Sequence, residues 1–177
     1  MRPSRAKLIA VDGADAAAVA KAAHQALAAA GRQRGGISWW DASGLFEQLV
    51  IAEADAGLPS PRTLLLLYAA DLAFRLRWEI EPTLAEGKTV VAAPYVETAI
   101  AFGRAAGLAG GWLTSLFSFA PTPAARRHVH GPGPRSHARM SGFVEFACDQ
   151  LSGRVLGFTR QQLVARTRAK LKGKKDK

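Results

Sequence analysis

The feature that most constrains this chain is an apolar run that meets Asp12-Gly13 and is followed by an alanine-rich segment closed by Gly31, KLIAVDGADAAAVAKAAHQALAAAG from Lys7. Leu8 to Val11 reads as a strand, Asp12-Gly13 as a turn, and the alanine-rich segment as a helix with Asp15 as its N-cap. Strand, glycine turn and helix make a βα unit whose helix N-terminus can cradle a phosphate. The phosphate-loop pattern is G-x-x-x-x-G-K-[ST]. Here Gly13 opens it, but Ala18 stands at the second glycine, Val19 at the lysine and Ala20 at the Ser/Thr. Val19 brings no charge to a phosphate and Ala20 no hydroxyl to a magnesium ion. Lys21 arrives two places late, about half a helical turn round the axis.

At 177 residues the chain fits one domain with a full core. Its longest apolar run, Leu64 to Tyr68, is too short to span a membrane. The basic start, MRPSRAK, precedes an apolar run too short for a signal peptide, so a cytoplasmic location is expected. Cys148, the single cysteine, fits a reducing compartment and reads as a small buried hydrophobe.

The net charge of +10 is uneven. From Arg160 onward there are eight Lys/Arg against one Asp, and a second basic island runs from Arg126 to Arg139. Such islands suit nucleic acid, anionic lipid or an acidic protein, or they are solvated surface. His128, His130 and His137 lie in the second island, but no Asp, Glu or Cys is near and arginines surround them, so no metal is expected. Arg126, Arg127, Arg135 and Arg139 suit an anion or partner surface there, with a solvated loop as the alternative. Trp39 and Trp40 cannot both point inward on a strand, because successive side chains alternate faces, so either one of them marks a candidate partner surface or the following helix covers it.

Along the chain, Arg32 to Gly36 reads as a turn and Ile37 to Trp40 as a short second strand. Asp41-Ala42-Ser43 caps a helix through Leu45, Phe46, Leu49, Val50 and Ala54, ended by Gly57. Ser60-Pro61 starts the clearest helix, which Pro82 kinks or re-caps and Gly87 stops. Lys88 to Ala93 is a buried strand, ended by Pro94. Val96 to Gly107 and Gly111 to Ala120 read as helices, the second with Trp112, Leu113, Leu116, Phe117 and Phe119 mostly inward. Pro121 to Ser136 reads as a loop. Met140 to Leu151 fits a helix, or a strand at Gly142 to Val144. Arg160 to Leu171 reads as a basic helix before a disordered tail. Alternating strands and helices predict an α/β three-layer sandwich, a parallel sheet flanked by helices, over residues 1–158, with 159–177 as a basic appendage.

The central block, LLLLYAADLAFRLRWEIEPTLAEGKTVVAAPYVETAIAFG, resembles the thymidylate kinase family of P-loop nucleoside monophosphate kinases. That family carries an aromatic and A-A-[DN]-R on a helix, an I-x-P-x-L-x-x-G turn, a strand ending in D-R-[YF], and a helix with S-x-x-A-[YF]-Q. Tyr68 and Ala69-Ala70-Asp71 match the first element, and Ile80, Pro82, Leu84 and Gly87 the turn. Tyr95 matches the aromatic of D-R-[YF], and Ala101-Phe102 the later pair. Trp112-Leu113 and Phe119-Ala120 resemble the W-L…F-A segment. The similarity spans Leu8 to Pro121.

The resemblance implies a P-loop kinase-like fold, a nucleotide pocket around Tyr68, Asp71, Tyr95 and Phe102, and Asp15 near the acceptor nucleotide. The polar groups have gone, however. The D-R pair is Ala93-Pro94, the arginine after A-A-D is Leu72, the glutamine is Gly103, and R-E-P-G-G-T after strand two is Trp39 to Ser43. Phosphoryl transfer rests on positioning and charge neutralisation. The expectation is therefore a degenerate loop at Gly13, Asp15, Ala18, Val19, Ala20 and Lys21 in an inactive interaction or regulatory protein without a cofactor. An active kinase using ATP and Mg would need its cations from Lys21, Arg75, Arg104 or Arg126. A nucleic-acid binder would use the basic tail. The expected partner is another protein or, as the family implies, a second copy.

Overall fold

The computed structural model describes residues 6–49, 59–130 and 142–151. Its centre is a four-stranded sheet of β1 (Leu8–Asp12), β2 (Arg34–Trp39), β3 (Thr89–Ala93) and β4 (Ala125–His128), in the order β2-β3-β1-β4 with every pairing parallel. Ile9 is in register with Val91 of β3 on one side and Ala125 of β4 on the other.

Strand side chains alternate between two cores. Val11, Val91 and Ala93 face α1 (Ala16–Ala28), whose Val19, Ala22, Ala23 and Ala26 are buried against them. Alanine lets this helix lie close to the sheet and is the best helix former. Leu8, Ala10, Val90 and Ala92 face the opposite layer. That layer holds a helical turn at 45–49 (α2), α3 (Pro61–Arg75), α4 (Glu81–Ala85), α5 (Val96–Ala105), α6 (Gly110–Leu116) and α7 (Phe143–Leu151). The three-layer parallel α/β architecture is as the sequence predicts.

Local signals explain most boundaries. Asp15 caps α1 through Ala18 N at 2.7 Å, and Ser60 caps α3 through Thr63 N at 3.1 Å. Gly31, Gly87 and Gly107 end their elements at φ of +60°, +77° and +78°, where other residues are strained. Pro82 falls in the first turn of α4, inside a helical stretch that runs on from α3, so its missing N–H is accommodated by a local irregularity. The irregularity lies just before it, in a π turn at Leu76–Ile80 that joins α3 to α4.

Several sequence expectations are corrected. β2 begins at Arg34, not Ile37. Gly35 sits where a Cβ would overlap Thr83 and come within 2.7 Å of the Thr89 carbonyl, so it marks close packing and a bulge rather than a turn. The 121–136 segment contains β4, a strand whose four residues are all exposed and which therefore lacks the apolar alternation that betrays a strand. Phe119 is exposed and Cys148 lies on the open side of α7. The expected helix beyond residue 49, Arg135, Arg139 and the basic 159–177 segment lie outside the described residues.

The ambiguous Met140 to Leu151 stretch is the helix α7, and it plugs the larger core. Phe143 packs against Tyr68, Phe102 and Phe46 at ring separations of 4.5, 5.3 and 5.9 Å, and Phe146 against Phe46 and Trp40 at 5.4 and 5.5 Å. Phe143→Ala removes the hub of this cluster. It is expected to cost about 3–5 kcal/mol, read as a fall in the urea midpoint with an unchanged slope.

Candidate functional site

Open parallel sheets bind ligands beyond the carboxyl ends of their strands. Here those ends open into a cleft of about 1220 Å³, between the β1–α1 turn, α5, β4 and α7. Its walls include Asp12, Gly13, Thr98, Phe102, Val144 and Glu145.

The β1–α1 turn, read in the sequence as a degenerate phosphate loop, forms one wall. The first amides of α1 belong to an anion site in principle, but carboxylates of the chain take them. Asp15 Oδ1 accepts from Ala18 N at 2.7 Å. Glu145, from α7, accepts from Ala16 N at 3.2 Å through Oε1 and from Gly142 N at 2.9 Å through Oε2. Gly13 N donates to Thr98 Oγ1 at 3.0 Å. A Cβ at Gly13 would overlap the Val129 side chain and lie 2.8 Å from its carbonyl, so this glycine serves the approach of β4. Val19 is 4% exposed and packs in the α1 core. Ala20 is half-buried, and Lys21 points outward on the exposed face.

Asp12 ends β1 and is 3% exposed. Its Oδ1 accepts from Tyr95 N at 2.9 Å, Thr98 N at 3.0 Å and Thr98 Oγ1 at 2.7 Å, so it caps α5 from a distant strand. Burial outweighs these bonds and holds its pKa above 3.8. Glu97, at the rim, pairs with Arg126 at 2.7 Å and His128 at 3.0 Å in largely solvated contacts that contribute little stability.

A second polar network lies beneath the β2 and β3 ends. Arg75 is fully buried and donates to Ser38 O at 2.6 Å, Ser38 Oγ at 2.9 Å and Pro94 O at 3.1 Å. Ser38 Oγ donates to Glu79 at 2.6 Å. Asp71, also fully buried and 3.9 Å from Arg75, accepts from Asp41 N at 2.9 Å, Ser43 N at 3.0 Å and Ser43 Oγ at 2.8 Å. Asp41, at φ +59°, accepts from Phe46 N at 2.9 Å. Its pKa is raised by burial first and by the Asp71 charge second.

Of the four residues of the expected nucleotide pocket, Tyr95 and Phe102 reach the cleft wall, while Tyr68 and Asp71 are fully buried behind it. Tyr68 is fully buried and donates to Tyr95 O at 2.7 Å. Burial raises its pKa, and pushes that of Tyr95 up to about 12. Tyr95 is 3% exposed, its hydroxyl donating to Pro121 O at 2.8 Å, and Phe102 is 8% exposed beside Phe143. Gly103, in place of the family's glutamine, has Leu113 and Leu65 at 2.5 and 2.8 Å from where a Cβ would stand. Trp39 and Trp40 do face opposite sides, yet both are half-buried, Trp39 against His24 and the α1 core and Trp40 among the α7 phenylalanines. Arg126 and Arg127 lie exposed on β4. Among the described residues no cluster of His, Cys, Asp or Glu is placed to hold a metal, and no helix is long and apolar enough to cross a membrane.

Sequence reasoning missed Asp12, Thr98 and Glu145. Only Glu145 left a signal, the G-x-x-E spacing from Gly142 that makes half a capping box.

No family model matches the chain. It is 43% identical over 58 residues to a probable thymidylate kinase of Pyrococcus horikoshii, 41% over 58 residues to that of Pyrococcus abyssi, and 39% over 67 residues to that of Pyrobaculum calidifontis. These matches cover 33%, 33% and 38% of this chain but only 28%, 28% and 35% of the relatives. The fold matches the crystal structure of thymidylate kinase from Ehrlichia chaffeensis with a TM-score of 0.57 at 12% identity, over 84% of this chain and 98% of that one. The protein is thymidylate kinase-like in part of its sequence and in its fold.

Two stability outcomes follow from the buried charges. Arg75→Ala leaves Asp71 buried without its cation and is expected to cost about 3–5 kcal/mol, whereas Arg75→Met fills the space and costs less, both read by urea denaturation. Asp12 binds its proton more tightly folded than unfolded. Its contribution is therefore most favourable below pH 3.8 and is lost as pH rises through the folded value. Asp12→Asn keeps an acceptor at Oδ1 and removes this dependence, so the stability difference between variant and wild type should shift in the variant's favour as pH rises through that window.

Proposed function

We propose that this protein is a thymidylate kinase-like module that works without phosphoryl transfer, through binding to a partner. The single observation that carries this reading is the seat of Glu145. Its carboxylate holds the Ala16 amide, at the helix end where the related fold would receive a phosphate. A phosphate brought there meets a negative charge and finds no lysine, because the aligned Val19 is packed in the core. The same helix fills the neighbouring space with Phe143 against Tyr68. Mg·ATP therefore does not fit the residues present: there is no cation at position 19, no hydroxyl at Ala20, and a carboxylate on the amide. Three of the four alternative cations are engaged or directed elsewhere. Arg75 is spent on Ser38, Pro94 and Asp71, Lys21 lies on the exposed face of α1 and Arg126 is paired with Glu97, which leaves Arg104 of α5, exposed at the cleft wall and remote in sequence from the loop, as the one cation of the four that the cleft presents unpaired among the described residues.

The test is titration calorimetry with Mg·ATP, with and without thymidine monophosphate, beside a coupled transfer assay. The expected result is no saturable heat and no turnover. Micromolar binding with turnover would contradict the reading. Ala18→Gly, Val19→Lys and Ala20→Ser together with Glu145→Ala, provided that the variant folds, should regain weak phosphate affinity, while the three loop changes alone should not.

A further inference from the structure

No Asp or Glu occurs between Ala16 and Trp40, the stretch that makes α1, the turn after it and β2. Ordinary surfaces intersperse both signs of charge, and a field of one sign steers a partner of the other. The cations here are Lys21, Arg32 and Arg34, joined by Lys7 at the start of β1, and all four are exposed. None of them is paired with a carboxylate among the described residues, whose ion pairs engage Arg75, Lys88, Arg126 and His128 instead. Register gathers them. Leu8 pairs with Val90 and Arg34 with Thr89, so Lys7 and Arg34 stand level on either side of Thr89, at the amino ends of β1 and β2. Two strand spacings, about 10 Å, separate their backbones. Alternation puts Lys7 and Thr89 on the face of Ile9, Val11, Val91 and Ala93, which packs against α1, and Arg34 shares that face through its register with Thr89. Arg32 lies in the turn that leaves α1, and Lys21 on the outer side of that helix. Lys88 has the opposite alternation and is held by Glu86 at 2.6 Å.

We infer that the amino edge of the sheet, with the α1 face beside it, binds the phosphate backbone of duplex nucleic acid without reading its sequence. Duplex DNA carries one charge per about 1.7 Å of its axis, so the roughly 10 Å between Lys7 and Arg34 spans about six phosphates, three on each strand. Backbone contacts of this kind position a protein and carry no sequence information. Gly31 and Gly36 have nothing within 4 Å of where a Cβ would stand, so a phosphate backbone can come close between the cations. The chemistry of the surface favours a duplex over other anionic partners. The exposed large apolar side chains are Leu66, Phe74, Trp78, Phe119 and Leu151, none of them in this stretch. A membrane-surface contact sets Trp, Phe or Leu beside its cations, and a single-strand site offers exposed aromatics on which bases stack. The sequence places its nucleic-acid expectation on the tail from Arg160; Lys7, Arg32 and Arg34 form a separate surface, assembled by strand register. This surface lies at the opposite end of the sheet from the cleft, so the inference does not depend on whether the cleft binds a nucleotide.

Fluorescence anisotropy of a mixed-sequence DNA duplex of about 20 base pairs, titrated with the full chain between about 50 and 200 mM salt, should show saturable binding that weakens steeply with salt. A duplex of the same length and different sequence should bind within a few-fold. Lys7→Gln, Arg32→Gln and Arg34→Gln together should lower the slope of log K against log salt by about 2–3, at about 0.9 per phosphate contact, and weaken binding roughly tenfold or more. Circular dichroism and melting should be unchanged, since all three side chains are exposed. Lys88→Gln should leave slope and affinity in place, because Glu86 already holds that ammonium. Absence of duplex binding, a slope that is the same in the wild type and the triple variant (binding by the basic tail alone), or binding to phosphatidylserine vesicles in place of the duplex would overturn the inference.

Discussion

The interaction on which the site depends is a carboxylate receiving backbone N–H groups at the end of a strand or helix. Asp12 takes those of Tyr95 and Thr98, Asp15 that of Ala18, Asp71 those of Asp41 and Ser43, and Glu145 those of Ala16 and Gly142. In a nucleotide-binding fold some of these donors are kept for the ligand. Here the chain supplies carboxylates to these donors itself, which fixes the loops. A buried amide left unpaired costs free energy comparable to a lost hydrogen bond. An internal acceptor of the Glu145 kind satisfies the Ala16 amide.

Two buried centres then hold the upper edge of the sheet. Asp12 joins the central strand to α5, and the Arg75–Asp71 pair joins α3 to the ends of β2 and β3. Each works because every partner is present: Arg75 has three good acceptors as well as a carboxylate, and no buried side-chain polar atom among the described residues is left without a partner. The aromatic residues of α7 pack in the same layer, against Tyr68, Phe102, Phe46 and Trp40.

The fold was legible because its signals are local. The Asp15 and Ser60 caps, the glycines at 31, 87 and 107 and the uniformly apolar β3 place most of the elements. β4 was not legible because an edge strand with four exposed residues carries no alternation. The candidate site was legible in what it lacks, since a missing lysine is plain at Val19. Its replacement was not, because Glu145 and Phe143 reach α1 and Tyr68 across more than 70 residues of chain, and only tertiary packing decides that α7 lands there.

The most direct measurement of the central claim is an amide NMR titration of the whole protein with Mg·ATP, following Gly13, Ala16, Ala18 and Gly142. If the chain's own carboxylates hold these donors, their resonances stay in place to millimolar nucleotide. Saturable shifts confined to these amides, with release of Ala16 and Gly142 from Glu145, would contradict the account and return the cleft to nucleotide chemistry.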